Sequence, residues 1–171
     1  MIYFHLKRIL EQAPYDLVLS GSDFMFQTDL GIHYIVSFSK EDIVLGACDT
    51  YQLIIRKIEE ARSPHDPKVE ATILAIIKEF FRSNLEVMLY LCDTSDGREE
   101  FRNRLFITWF DRYIDKDSFV IRKAHAQVEG EGLFLCIIVD KRNPKLKAIT
   151  DDFDEKAAML TEGKPDTSNY P

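Results

Sequence analysis

The chain has 171 residues, of which 46% are hydrophobic and 30% are charged, with only 7 glycines and 6 prolines. This composition is typical of a folded globular protein and excludes disordered and fibrous classes. The 29 acidic residues outnumber the 22 basic ones, and the net charge of -7 disfavours partners such as nucleic acid or an anionic membrane surface. A chain of this length can bury one full core, so we expect a single domain over residues 1–160 and a flexible tail over residues 161–171.

The cysteines and the hydropathy pattern bear on the compartment. Cys48, Cys92 and Cys136 lie in or beside apolar runs and lack the spacing of a disulfide framework or a zinc site, so we expect reduced, buried thiols and no metal. No apolar stretch has the length of a signal peptide core or of a membrane span. The sequence therefore predicts a cytoplasmic protein.

The N-terminal part of the chain predicts a helix followed by a hairpin. Apolar residues recur at helical spacing until Pro14, which indicates a short amphipathic helix that must dock on the rest of the molecule. Residues 15–19 are a weak strand candidate. Residues 24–28 and 32–38 flank a turn in which Gly31 can supply a positive φ, and this pattern predicts a β-hairpin.

A strand, a helix and a second strand come next. Residues 51–58 are rich in β-branched and aromatic side chains and predict a third strand. Asp66 can cap and Pro67 can begin a helix over residues 67–83, whose apolar residues trace one wide face. Residues 85–92 are almost wholly apolar, as expected of a strand covered on both faces. A right-handed crossover would place the two strands parallel.

The remaining elements are two helices and a hairpin. A capping pattern followed by apolar residues at intervals of four predicts a long helix over residues 97–113. Residues 119–128 and 132–139 flank a turn with glycine and predict a second hairpin. Asn143 can cap a last helix whose apolar stripe extends to Leu160. Together the elements predict an α+β fold with a mixed, mainly antiparallel sheet, one parallel crossover and flanking helices.

The order of these elements resembles a known superfamily. Over residues 23–139 it is similar to the core of the GNAT N-acetyltransferases. The resemblance implies a GNAT-like topology in which two neighbouring parallel strands splay apart and admit the pantetheine arm of acetyl-CoA.

A second resemblance concerns particular segments of the chain. Segments 66–81, 92–98, 102–106 and 109–110 are similar to an uncharacterised bacterial protein family. That resemblance carries no activity with it.

The loop before the first long helix departs from the GNAT pattern. Those enzymes carry glycines there, whose N–H groups approach the CoA pyrophosphate. The loop here, Ala61 to Pro67, has no glycine, Pro64 lacks an N–H, and Asp66 adds a negative charge where phosphates would lie. Only Arg62 and His65 favour an anion. Acyl-CoA is therefore disfavoured and no cofactor is expected, while the question of enzymatic activity stays open.

Charged residues follow both parallel strands, where sheets of this kind tend to bind ligands. Arginine forks there suit a carboxylate or a phosphate, although helix capping by Asp96 and a solvated helix face at Arg98 and Arg102 explain the same residues without a ligand. The candidate ligand-binding residues are Glu59, Arg62, His65, Asp93, Asp96, Arg98 and Arg102.

Consecutive aromatic residues occur on both long helices. Phe80 and Phe81, and likewise Trp109 and Phe110, lie about 100° apart around a helix, so we expect one of each pair to point outward unless another helix covers it. An exposed ring of this kind would suit a second subunit or another protein.

The sequence thus favours a non-catalytic or degenerate GNAT-like binding module, whose partner is an unknown small molecule or protein. The first alternative is an atypical acyl-CoA-dependent N-acyltransferase that uses Arg62, His65 and Arg98. The second alternative is a homodimeric protein-interaction subunit built on exposed aromatic residues.

Overall fold

The computed structural model describes residues 1–60, 62–93, 108–110, 112–113, 115–128 and 130–162. Over these residues the fold is α+β, with a mixed sheet of seven strands that is mainly antiparallel and contains one parallel pair. This is the fold class that the sequence predicts. Each helix that the structure describes is too short or too polar to cross a lipid bilayer.

The chain begins with a short helix and three antiparallel strands. Helix α1 spans Leu6–Gln12, and strands β1 (Leu17–Ser20), β2 (Asp23–Gln27) and β3 (His33–Leu45) follow it. β1 pairs with β2 and β2 with β3, both antiparallel. Gly31 turns the chain between β2 and β3 with a φ of 80°, which glycine adopts without steric cost. The predicted hairpin and the weaker strand before it are confirmed.

Strand β3 is longer than predicted, and a tight turn leads from it into β4, which spans Cys48–Lys57. The two strands include most of residues 39–50, for which the sequence pattern predicts no element. The pattern gives no signal there because the end of β3 is largely exposed and lacks apolar alternation. Gly46 occupies the turn with a φ of 55°. A Cβ on Gly46 would lie 2.7 Å from the backbone nitrogen of Ile149, so only glycine fits there.

Helix α2 spans Pro67–Ser83, with the bounds that the sequence predicts. The Asp66 carboxylate caps it by accepting the backbone N–H of Lys68 at 2.9 Å. Because its apolar face is wide, most of the helix is buried. The buried residues are Thr72, Ile73, Leu74, Ala75, Ile76, Ile77, Glu79, Phe80 and Phe81.

Three further strands complete the sheet. They are β5 (Val87–Asp93), β6 (Phe119–Val128) and β7 (Glu131–Asp140). β7 pairs antiparallel with both β5 and β6, so the predicted second hairpin is confirmed. The strand order is β1-β2-β3-β4-β5-β7-β6.

The helices of the C-terminal half are described in part. Of the helix predicted over residues 97–113, residues 108–110 and 112–113 are described and are helical. The last helix, α3, spans Leu146–Glu162. The Asn143 side chain precedes it and accepts the backbone N–H of Lys145 at 2.9 Å, as expected of a cap. α3 includes residues 161 and 162 of the predicted tail, and residues 163–171 lie outside the described residues.

The described residues form two compact units. Unit 1 is residues 1–40 with residues 51–86, and unit 2 is residues 41–50 with the described residues from 87 onward. The single domain over residues 1–160 stays a prediction.

Aromatic rings fill the core of unit 1. The rings of Phe38 and Phe80 stack with centroids 4.9 Å apart, and Phe81 lies edge-on to Phe80 at 5.0 Å. Phe4, from the segment before α1, meets Phe24 at 4.9 Å. Large, rigid rings in contact leave little free volume.

The N-terminal segment is anchored to α2 by polar contacts as well. The Tyr3 N–H donates to Oδ1 of Asn84 at 2.9 Å, and Nδ2 of Asn84 donates to the Tyr3 carbonyl at 2.9 Å. The His5 N–H donates to Oε1 of the buried Glu79 at 3.2 Å. With Ile9 of α1 buried too, the segment docks on the rest of the unit as its apolar stripe predicts.

Aliphatic side chains dominate the core of unit 2. They come from the end of β3, the start of β4, the strands β5, β6 and β7, and helix α3. The buried cluster contains Leu45, Cys48, Val87, Leu89, Ala126, Leu135, Ile137, Val139, Ile149 and Phe153.

The consecutive aromatic residues on the two helices all lie in the core. Phe80, Phe81, Trp109 and Phe110 are all buried, with exposed fractions of 0%, 2%, 7% and 1%. Neighbouring side chains cover both members of the first pair, and the Phe119 ring lies 6.4 Å from that of Phe110. The observation that would have favoured an aromatic interaction surface is therefore absent at these positions. The three cysteines are buried and form no disulfide within the described residues, as predicted.

Candidate functional site

Glu59, one of the predicted site residues, pairs with a histidine in unit 1. Its Oε1 lies 2.5 Å from Nδ1 of His33, and its Oε2 accepts the His33 backbone N–H at 2.7 Å. The hydrogen bond with the His33 side chain, followed by the one with the backbone, lowers the pKa of Glu59 to about 2. The carboxylate therefore fastens the end of β4 to the start of β3, which is a structural role.

Arg62 and His65 lie in the loop before α2. Arg62 is exposed. Nε2 of His65 lies 2.5 Å from Oε1 of Glu70, a residue on the first turn of α2 that the sequence analysis did not select. No hydrogen bond or ion pair among those described joins Glu59, Arg62 and His65 to one another.

The N-terminus of α2 is occupied by side chains of the chain itself. Besides capping the helix, the Asp66 carboxylate accepts a short hydrogen bond from the Tyr15 hydroxyl. The Tyr15 hydroxyl in turn accepts the Asp29 backbone N–H at 3.3 Å, and Nζ of Lys68 donates to Asp29 at 3.0 Å. Burial, with the hydrogen bond to Asp66, raises the pKa of Tyr15 to about 12. These contacts lie at the helix N-terminus, where the GNAT resemblance would put a pyrophosphate, and the expectation that acyl-CoA is disfavoured stays a prediction.

The other predicted site residues are described less fully. Asp93 is the last residue of β5, and its side chain is not described. Asp96, Arg98 and Arg102 lie outside the described residues. Their convergence with Glu59 stays a prediction.

A cavity of about 90 Å³ lies in unit 2 between α3 and one face of the strands. Its walls are largely apolar. The cavity exists because the inward positions of β6 and α3 carry the small residues Ala124 and Ala157, and larger side chains there would fill the space. Ile43 and Leu160 are at least 38% exposed and form part of its wall. The cavity is lined by Ile43, Leu45, Thr50, Leu89, Ala124, Leu135, Ile137, Phe153, Lys156, Ala157 and Leu160.

Two polar residues line this cavity. Thr50 is fully buried, and its hydroxyl has no hydrogen-bond partner among the described residues. Lys156 is exposed and forms no ion pair within the described part of the chain. An unpartnered buried hydroxyl costs about 1–3 kcal/mol. Within the described part of unit 2, unfilled apolar volume is therefore lined by a residue with an unsatisfied hydroxyl and by a lysine without an ion pair.

The described residues contain no group of three or more His, Cys, Asp or Glu side chains that could hold a metal ion. Thr50 and Lys156 are the polar residues of the cavity lining, which is otherwise apolar and includes no carboxylate or imidazole among the described residues.

Sequence reasoning missed Thr50, Lys156 and Ala157. The available signal was alanine on the inward face of two elements, Ala124 and Ala126 on β6 and Ala157 on α3. Such residues are common in cores of any kind, so the signal predicts a cavity only once the facing elements are known.

The described residues form an α+β fold with a small apolar cavity in unit 2. Residues 65–155 match the model of DUF6169, a family of unknown function. The match covers more than half of the chain, and the chain belongs to this family. The predicted membership of an uncharacterised family is thereby confirmed. No curated protein and no solved structure matches the chain.

Proposed function

We propose that this chain is a non-catalytic, GNAT-like binding module whose unit 2 cavity holds the aliphatic part of a small carboxylate. The observation that carries the proposal is the apolar cavity lined in part by Lys156, which forms no ion pair within the described residues. An apolar space with one convergent charged group is the usual form of a small-molecule site.

The cavity volume limits the size of the ligand. An engineered apolar cavity of about 150 Å³ accepts benzene, with six carbons. A space of about 90 Å³ then has room for a chain of about three or four carbons. The proposed ligand is therefore a short aliphatic acid, with its methyl end inside and its carboxylate outside.

The charge of Lys156 favours a carboxylate over a neutral head group. Arg122 and Lys147, the other basic residues of this region with described ion pairs, already face Asp154 and Asp151. Lys156 has no such acidic partner among the described residues. A ligand carboxylate would therefore not compete with a carboxylate of the chain for its ammonium group. Because the ammonium group is exposed, the gain is only about 0.2–1 kcal/mol.

Acyl-CoA fits the chain less well than a free acid does. The α2 N-terminus, which would receive the pyrophosphate, is capped by Asp66. A second negative charge there would be repelled by this carboxylate and would find its N–H donors taken. The acyltransferase alternative therefore has less support than a binding role.

A series of straight-chain acids tests the proposal. We expect the affinity for propionate, butyrate and pentanoate, measured by calorimetry at constant ionic strength, to rise about fourfold with each methylene. The rise should stop once the chain is longer than the cavity. A titration with acetyl-CoA in parallel should give no shift of the melting temperature; a shift there without binding of the acids would overturn the proposal.

Two alanines of α3 form a matched pair of variants. Ala157 lines the cavity, whereas its neighbour Ala158 is exposed. Ala157→Leu should fill the cavity and abolish binding of pentanoate, and Ala158→Leu should leave it unchanged. Equal binding by both variants would show that the acid binds elsewhere.

Variants at Lys156 and Thr50 test the charged end and the apolar interior of the proposed site separately. Lys156→Gln should weaken pentanoate about two- to fivefold and leave neutral 1-butanol unaffected. Thr50→Val keeps the shape and removes the unpartnered hydroxyl, so binding of pentanoate should persist while the melting temperature rises. Loss of binding in Thr50→Val would contradict an aliphatic occupant.

A further inference from the structure

A second pocket lies in unit 1, between α1 and α2, and it differs in character from the cavity of unit 2. Its volume is about 190 Å³. Three cationic side chains and one carboxylate line it, which gives an excess of positive charge in a chain whose net charge is -7. The lining residues are Arg8, Gln12, Ala75, Lys78, Glu79 and Arg82.

The single carboxylate of this pocket is already compensated. Glu79 is 3% exposed, and its Oε1 accepts the Ser83 hydroxyl at 2.6 Å and the His5 N–H at 3.2 Å. The Arg8 guanidinium lies 3.8 Å from the same oxygen. The buried carboxylate therefore orients Arg8 at the wall of the pocket, and an oriented guanidinium loses less entropy when it binds a further partner.

The two α2 cations are not compensated in this way. Lys78 and Arg82 lie one turn apart on the same face of α2, are exposed, and form no ion pair within the described residues. Like charges at this spacing destabilise a helix slightly. An anion between them would remove that repulsion and would have Arg8 as a third partner.

We infer that the pocket between α1 and α2 binds a phosphate group. Two guanidinium forks and one ammonium group supply donors for the several oxygens of a phosphate, and arginine is suited to bidentate contact with it. Room for about six waters, at about 30 Å³ each, accommodates such a group. The unit 2 cavity is apolar, so this site and the proposed carboxylate site are separate and can fail independently.

Inorganic phosphate is the first probe, with the ionic strength held constant by sodium chloride. We expect saturable binding by calorimetry. Lys78→Gln and Arg82→Gln should each weaken it about fivefold or more. Arg56→Gln changes an exposed arginine of β4 in the same unit and serves as the matched control, with unchanged affinity expected. Equal losses in all three variants, or no saturation at millimolar phosphate, would overturn the inference.

The introduction of a carboxylate tests the same pocket by the opposite change. Gln12→Glu keeps the cations and adds a negative charge to the wall, so phosphate affinity should fall while the melting temperature stays unchanged. Glycerol 3-phosphate in place of inorganic phosphate distinguishes the source of the group. Tighter binding of the ester indicates a phosphorylated metabolite, and equal binding indicates free phosphate. Unchanged phosphate affinity in Gln12→Glu would place the anion elsewhere.

Discussion

The cores of the two units differ in the kind of side chain that they contain. In unit 1 the rings of Phe4, Phe24, Phe38 and Phe80 contact one another. In unit 2 aliphatic side chains surround a space of about 90 Å³. The comparison shows that a core can be buried from solvent and still contain unfilled volume. Large rings fill the space between neighbouring elements, whereas small alanine side chains leave part of that space unfilled.

The buried polar groups do not divide between the units in the same way. In unit 1 the buried Glu79 and Asn84 have hydrogen-bond partners that hold the N-terminal segment. Among the described residues, however, Oε2 of Glu70 in unit 1 and the Thr50 hydroxyl in unit 2 are both buried without a hydrogen-bond partner. Unsatisfied groups and unfilled volume both lower stability.

The largest expected effect is that of removing a ring from unit 1. Phe80→Ala should lower the free energy of unfolding by about 3–5 kcal/mol, because the ring is fully buried among other rings. Phe153→Ala in unit 2 should cost less, since Phe153 already borders a cavity. Urea denaturation of both variants measures the difference. Equal costs would mean that the two cores are packed alike.

The turn at Gly46 gives the next largest effect. Gly46→Ala should destabilise by about 2 kcal/mol or more, because it combines a positive φ with contacts of 2.7 Å and 2.9 Å to the backbone of α3. Gly21 in unit 1 has a φ of 63° but no atom within 4 Å of its Cβ position. Gly21→Ala therefore isolates the conformational cost of about 1 kcal/mol. Thermal unfolding that ranks the two variants in the reverse order would contradict the close approach.

A hydroxyl in unit 1 gives a smaller effect that depends on pH. Tyr15→Phe should cost about 1.5 kcal/mol at neutral pH because it removes a hydrogen bond to a carboxylate. The pKa of Tyr15 is raised from 10.0 to about 12, so its contribution is complete below pH 10 and is lost as the pH rises through about 12. Denaturation across this range should show the difference from the wild type shrinking. Tyr34→Phe serves as the control, and a difference independent of pH would be contrary to this account.

The smallest effect concerns the titration of one carboxyl group. With His33 replaced by alanine, the pKa of Glu59 should rise from about 2 towards its ordinary 4.5, though not all the way because the backbone N–H at position 33 still donates. In the wild type this pairing adds stability above pH 4.5 that is lost as the pH falls through about 2. Carbon-detected NMR of the carboxyl group follows the change. An unmoved midpoint would show that the His33 side chain does not cause the shift.

Much of the fold could be predicted because its signals are local. Asp66 and Pro67 mark the start of α2 in the sequence, as its N-cap and its first helical residue, and both hairpins have glycine in their turns. The end of β3 could not be predicted, since residues 39–44 are largely exposed and become a strand through their partner rather than their pattern.

The site was less accessible to sequence reasoning for a related reason. Glu59 stood out as a charge after a strand, but its role depends on His33, which lies 26 residues earlier in the chain. The unit 2 cavity draws its wall from residues as distant as Ile43 and Leu160. No local pattern contains that information, because the space exists only after tertiary packing.

The pairing of Tyr3 with Asn84 has a consequence for the order of folding. Its two hydrogen bonds join residues 81 positions apart, so they form only after the chain has closed a long loop. During synthesis the first residues must wait for α2 to be completed before they gain these partners. We expect this pairing to form late in folding, so Asn84→Ala should speed unfolding and leave the folding rate nearly unchanged. Such a result would mean that the pairing slows the opening of unit 1.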